Sequence, residues 1–372
     1  MLHQIKLPSY DNALQEFLNF QLQLITFACT PARSYPLTKD AVQREFTGEV
    51  GKWLYNKLWP KGKSETDFHR HLKHLIDHVA CHQSQTIGTD IIDAYKHDID
   101  FHEHFDDTTF WFHYHKLDLK TQEIVKTLMN YFYQLLYKGF LVSSEKYQKF
   151  DLHAMVTAFR DENKKILAVC PACDGQAPSW TRVRDAAQVD HFFPKSLYPF
   201  LSIHPYNLAP ICIQCNTVFK RDTDPIQQGL LVDTFHPYGH PAITDIEVHI
   251  IDGYEVSLVD VVCREQKVQA VRLENLVRIF DLQILWEDCY FPIVKDDFVR
   301  HLRGIGRNRK GKSLPLSADI VREELEAVLQ NYKEDVGMRQ YYLLRSSYAC
   351  YALTHDEEFK RLVFELMGGD EE

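Results

Sequence analysis

Two Cys-x2-Cys pairs, Cys170-Pro171-Ala172-Cys173 and Cys212-Ile213-Gln214-Cys215, constrain this chain more than any other feature. A tight turn with thiolates three residues apart supplies two adjacent corners of a tetrahedron, and two such turns close a four-sulfur zinc site. That site is coordinatively full, so its role is structural. The surrounding stretch, about 169–225, carries several prolines and few long periodic runs. A bound ion would replace part of the core it lacks. Nine is an odd number of cysteines, and two close pairs suit a metal site in a reducing compartment better than a disulfide framework. Cys29, Cys81, Cys263, Cys289 and Cys350 stand singly, mostly among apolar residues, and read as core.

The flanks are helical in pattern. Leu14, Phe17, Leu18, Leu22 and Ile25 recur at three- and four-residue spacing, as do Ile124, Leu128, Phe132 and Leu135, with Gly139 as a stop. A further helix is expected over about 152–168. Ile246–Ile251 and Tyr254–Val259 bracket Asp252-Gly253, the strongest short hairpin signal a sequence offers. Leu273, Leu276, Val277, Phe280 and Ile284 then share one helical face, Gly304–Ser313 reads as a basic loop, and Ser317 as the N-cap of a helix reaching about Tyr332. At least one more helix is expected near the C-terminus. The division expected is a helical region over 1–150, a metal-stabilised module over 151–240, and a β-hairpin followed by helices over 241–372. The fold class is α+β and predominantly α-helical.

No run approaches the roughly 20 apolar residues that cross a bilayer, and no secretory pattern opens the chain, so the expectation is cytoplasmic with no membrane partner. The net charge of −10 repels nucleic acid in bulk. Any binding to nucleic acid must come from local basic patches, a metal or a partner subunit.

Between the cysteine pairs lies Gln188-Val189-Asp190-His191-Phe192-Phe193-Pro194-Lys195-Ser196, followed by Asn207-Leu208-Ala209-Pro210, Cys215-Asn216 and Lys220. Phosphodiester hydrolysis needs an activated water, a Lewis acid and a fixed, dry geometry. Asp190 offers oxygen to a hard cation such as Mg2+, and His191 is a natural base for water. Successive side chains on an extended backbone face opposite sides, so adjacent Asp and His suit different tasks. Alone, Asp190-His191 would equally be an ordinary turn and Asn207 a capping residue.

The string C-P-x-C, V-D-H-F-x-P-K-S, N-L-x-P-x-C-x-x-C-N-x-x-x-K resembles the cysteine-bearing branch of HNH, or ββα-metal, nucleases over about 50 to 60 residues. That resemblance implies an embedded module of two strands and a helix around one divalent metal, Mg2+ or Mn2+. It implies Asp190 as metal ligand, His191 as general base, Asn207 as the residue holding the His-bearing loop and Asn216 as second ligand. It implies a nuclease acting on nucleic acid, most often DNA. Many members carry Gly-Gly shortly after Asp-His; here Ser196-Leu197-Tyr198-Pro199 stands instead. With His236-Pro237-Tyr238 downstream, this is similar to a sub-branch frequent in bacterial defence, which implies a defence effector whose helical flanks bind a protein partner or activator.

Lys195, Lys220 and Arg221 are candidate phosphate contacts near the metal, and Arg307, Arg309 and Lys310 stand in the densest basic run of the chain. His204 lies inside the module, within reach of a substrate, and His236 and His240 read as supporting the fold at its border more than as chemistry. His71, His74, His78 and His82 fall on roughly one helical face, but no acid stands at matching spacing, so they read as compositional. The rival to a nuclease is a non-catalytic zinc-knuckle module that binds protein or nucleic acid. It gives no reason for the Asp190, His191, Asn207 and Asn216 set.

Overall fold

The structure, a computed structural model, describes residues 1–8, 11–61, 65–137, 140–141, 149–150, 152–175, 188–227, 229–251, 258–263 and 270–368. It is predominantly helical with small two-stranded antiparallel sheets. The first part holds α1 (Asp11–Ala28), α2 (Pro31–Ser34), α3 (Lys39–Glu45), α4 (Gly48–Leu58), α5 (Asp67–Cys81), α6 (Ile87–Ile99) and α7 (Leu119–Tyr137). Their apolar stripes face inward: Leu14, Phe17, Leu18 and Ile25 of α1 are buried with Leu128, Phe132 and Leu135 of α7. The Phe17 and Phe132 rings meet edge to face at 5.8 Å, a favoured aromatic geometry. Threonines open two of these helices, since Thr38 Oγ1 accepts from Ala41 N and Thr66 Oγ1 from His69 N.

Strands β1 (Phe140–Leu141) and β2 (Lys149–Phe150) pair ahead of α8 (Leu152–Asn163). Helix α8 ends before the expected 168. The Asn163 side chain accepts from Lys6 N and donates to Lys6 O and Phe159 O, at 2.8, 2.9 and 3.0 Å. These bonds tie the helix end to the first residues of the chain. Strands β3 (Gln188–His191) and β4 (Leu208–Ile211) pair antiparallel, with Asp190 opposite Ala209 and His191 opposite Leu208. A short π-wound helix, Gln214–Lys220, follows at once.

The hairpin of β5 (Ile246–Ile251) and β6 (Leu258–Cys263) sets Ile251 opposite Leu258. Of the expected second strand Tyr254–Val259, Leu258 and Val259 are paired, and residues 254–257 fall outside the described residues. Asp252-Gly253 falls outside the described residues, as does Gly139. Helices α9 (Ala270–Phe280) and α10 (Leu282–Ile284), a π-wound turn Leu285–Tyr290, then α11 (Phe291–Gly311), α12 (Ala318–Asp335), α13 (Tyr342–Thr354) and α14 (Asp356–Met367) complete the fold.

Two expectations are corrected here. Asp281 takes a left-handed φ of 43°, which breaks the helix and leaves Ile284 57% exposed rather than on the buried face. Gly304–Ser313 is not a loop: α11 runs through Gly311. Of its glycines only Gly306 has a packing cause: a Cβ there would lie 2.1 Å from Leu366 O of α14, whereas Gly304 and Gly311 face open space.

Buried apolar residues from Met1 to Leu366 belong to one connected core. Its first residues thread inside it. His3 N donates to Pro171 O, Ile5 N to Pro237 O, and Ala242 N to Met1 O. Among the described residues no helix is long and apolar enough to cross a membrane.

Candidate metal centre and the Asp190–His191 site

The two cysteine turns meet. The sulfurs of Cys170, Cys173, Cys212 and Cys215 lie within 4.8 Å of one another. Thiolates about 2.3 Å from a tetrahedral zinc stand about 3.8 Å apart, so these four residues could hold such an ion. The turns are shaped for it by backbone amides that point at sulfur: Cys212 N donates to Cys170 Sγ at 3.3 Å and Cys215 N to Cys212 Sγ at 3.4 Å. Hydrogen bonds from the three neighbouring thiols draw Cys212 strongly towards its thiolate form.

The first turn is also anchored to distant parts of the chain. Asp174, at a left-handed φ of 62°, bonds His3 Nε2 at 2.8 Å and accepts from Leu343 N at 3.1 Å. Trp286 Nε1 donates to Cys173 O at 3.0 Å, and the Tyr290 hydroxyl lies 3.4 Å from Cys173 Sγ.

On β3 the adjacent Asp190 and His191 face different surroundings, as alternation requires. Asp190 turns to the helix Gln214–Lys220, where Lys220 Nζ donates to its Oδ1 at 2.9 Å and to His191 O at 2.6 Å. Both side chains are buried, Lys220 at 0% and Asp190 at 3% exposure. Burial raises the Asp190 carboxyl pKa, and the Lys220 ammonium opposes that rise. Asp190 Oδ2 has no hydrogen-bond partner among the described residues.

His191 turns the other way. Its Nε2 bonds the carbonyl of Ser202 at 2.9 Å, which makes Nε2 the donor and leaves Nδ1 as the basic nitrogen. The Tyr133 ring of α7 stands edge-on to the imidazole at 4.6 Å, and Lys195 Nζ lies 4.3 Å from the centre of that same tyrosine ring. Burial, reinforced by Lys195, pushes the His191 pKa down to about 3. Burial also lowers that of Lys195, against Asp222.

Asn207, fully buried, closes the loop between the strands. Its Oδ1 accepts from Phe193 N at 2.7 Å, while Nδ2 donates to Phe193 O and Leu201 O, each at 3.0 Å. The amide thus clamps both ends of the segment that follows His191 and carries Ser202. Tyr238 adds a second brace, its hydroxyl donating to Leu208 O of β4 at 2.8 Å. His236 and His204 are buried, each with one ring nitrogen unpartnered among the described residues. His240 instead bonds Asp106 at 2.6 Å.

The structure therefore gathers Asp190, His191, Asn207, Lys195 and Lys220. Asn216 lies one turn before Lys220 on the same helix. Lys220 is corrected as a phosphate contact, because its ammonium is buried and committed to Asp190 and to the His191 carbonyl. Arg221, directly after this helix, is exposed. Arg307, Arg309 and Lys310 lie on the last turns of α11, which packs on α13 and α14. Cys81, Cys289 and Cys350 are exposed and not core. Sequence reasoning missed Ser202 and Tyr133 altogether. Neither carries a local signal, since one acts through its carbonyl and the other arrives from a helix more than fifty residues away.

The chain matches no protein-family model, no curated protein and no solved structure.

Proposed function

We propose that this chain is a metal-dependent endonuclease of the HNH type, acting on nucleic acid and most readily on DNA, and that the four-cysteine cluster holds a structural zinc. The observation that carries the reading is the Asn207 clamp. This buried amide makes three bonds to the loop that leaves His191, while the far side of that loop supplies the Ser202 carbonyl that selects the histidine tautomer. A module serving only as a staple has no need of an oriented, buried imidazole held neutral with its Nδ1 lone pair free of the Ser202 bond.

Asp190 and Asn216 would hold the divalent ion. The donor chemistry fits: a carboxylate and an amide offer hard oxygens, and Asp190 Oδ2 is a buried acceptor without a partner among the described residues. When bound there, Mg2+ or Mn2+ supplies Lewis-acid polarisation of the scissile phosphate. The chain does the rest. His191 Nδ1 takes the proton of the attacking water, and the Ser202 carbonyl steadies the ring as it becomes cationic. Lys220 neutralises Asp190 in part, so this ion is held weakly compared with the zinc. Lys195, beside the Tyr133 ring, and exposed Arg221 offer positive charge to the phosphates on either side. The ends expected are 5′-phosphate and 3′-hydroxyl. A role as a defence effector, held off DNA by its net charge of −10 until a partner recruits it, accords with the acidic surface.

The test is divalent-ion binding and plasmid nicking by the zinc-loaded chain, with Asp190→Asn beside wild type. Wild type nicks in Mg2+ or Mn2+, and Asp190→Asn weakens Mn2+ binding and nicking together. A folded chain that takes up zinc alone, binds no Mn2+ and leaves DNA and RNA intact would point to the interaction module instead.

A further inference from the structure

His78 and His82 lie four residues apart at the C-terminal end of α5, and Asp118 sits immediately before α7. One ligand atom from each of the three falls within 4.8 Å of the others. The sequence offered the two histidines without an acid; the fold supplies one from 36 residues beyond His82. We infer that His78, His82 and Asp118 form a second metal site, for a divalent cation of the zinc class, at the junction of α5 and α7.

The geometry supports an ion more than a set of hydrogen bonds. His82 Nε2 stands 3.7 Å from Asp118 Oδ2, too far for a hydrogen bond. Two ligands of one tetrahedral zinc stand about 3.4 Å apart at metal distances near 2.1 Å. The two imidazoles meet edge to face, at 4.9 Å between ring centres and 71° to each other, rather than stacking. Two histidines and one carboxylate are the ligand types of borderline divalent metals.

The carboxylate is already oriented. Asp118 Oδ1 accepts from Lys120 N and Thr121 N, each at 3.1 Å, and Oδ2 accepts from the buried Thr121 hydroxyl at 2.5 Å. Outer bonds of this kind fix a ligand for its metal. Beside the trio opens a cleft of about 400 Å3, whose wall includes His82, Asp118, Asp90, Asp93, His113 and Lys116. Three protein ligands leave a coordination position free for water or a small ligand.

Two exchanges accompany binding. The His78 proton moves from Nε2 to Nδ1 as Nε2 leaves the Thr121 hydroxyl, now 2.8 Å away, while Thr121 keeps its bond to Asp118. The His82 proton moves from Nε2 to Nδ1, releasing the exposed Ser84 amide that now donates to it at 3.1 Å. Once bound, the ion ties α5 to the start of α7, the helix whose far end sets Tyr133 against His191. The inference stands whether or not the Asp190 site is a nuclease.

Metal analysis after equilibrium dialysis of the full chain tests it. Wild type is expected to hold one more zinc equivalent than His78→Gln or His82→Gln, while His71→Gln and Asp190→Asn keep that equivalent. Asp118→Asn retains the amide cap yet should bind this ion at least about tenfold more weakly. With Co2+, the extra equivalent should give weak visible bands and no sulfur charge-transfer band. Weak bands that persist in Asp190→Asn and vanish in either His78→Gln or His82→Gln assign the spectrum to this site rather than to Asp190. Equal zinc content in wild type and both Gln variants, or cobalt bound only through thiolates, overturns the inference.

Discussion

Lys220 carries a charge where water does not reach it, and its partner Asp190 is buried with it. Removing one member of such a pair strands the other, which typically costs about 3–5 kcal/mol, whereas replacing both by neutral groups is far milder. Lys220→Met should therefore lower stability by that amount in denaturant titration, and adding Asp190→Asn should recover most of the loss. Full additivity of the two changes would show that the pair is not coupled. Asn207→Ala removes three bonds inside the fold. Because it leaves Phe193 N and two carbonyls unsatisfied, a loss of at least about 2 kcal/mol is expected. Nicking should fall with it, since the Ser202 carbonyl that orients His191 rides on the clamped loop. Unchanged stability would mean the clamp is absent in solution. At this scale the sequence was partly legible. The types and order of Asp190, His191 and Asn207 spoke for chemistry, but Lys220 looked like surface, because nothing local marks a lysine for burial.

Elements repeat that division. The helices of the flanks, the strand pair around the expected Asp-Gly turn, and the two knuckles all follow from local spacing, and the chain declares them. Where an element ends depends on distant contacts. Asn163 stops α8 because Lys6 is there to bond it, and α11 needs Gly306 because the α14 backbone presses on it. Asp118 joins His78 and His82 only through the packing of α5 on α7, so no spacing rule could find it. The knuckles bind elements together as well. Trp286, 1% exposed, donates to the Cys173 carbonyl, so loss of zinc should reach the C-terminal helices. Cys215→Ser, or a strong chelator, is expected to release the ion and shift the emission of Trp286 to longer wavelength, an effect lost in Trp286→Phe. Emission that stays fixed while zinc leaves would separate the two.

At the scale of the whole molecule, the described residues share one connected core and the chain carries a net charge of −10. Burial holds His204 down to about 3 and His236 well below its ordinary range, so both are neutral in the fold and take up protons in the unfolded chain below about pH 6.5. A depressed folded pKa makes the contribution complete above pH 6.5 and progressively lost as pH falls towards 3, by up to about 1.4 kcal/mol per pH unit for each histidine. Melting temperature should drop across that window, and less so in His204→Gln if the residue packs equivalently. A flat profile would place these histidines in contact with water. With a net charge of −10, the proposed nuclease would bind nucleic acid locally, through Lys195, Arg221 and the ion, so nicking should weaken as salt rises.

The most direct measurement is cleavage of end-labelled duplex DNA, in Mg2+ and in Mn2+, by wild type and by His191→Ala of matched zinc content and helical signal. The account predicts metal-dependent cleavage by wild type and a fall of about 10²–10⁴-fold in the variant. Cleavage by His191→Ala at the wild-type rate would contradict it.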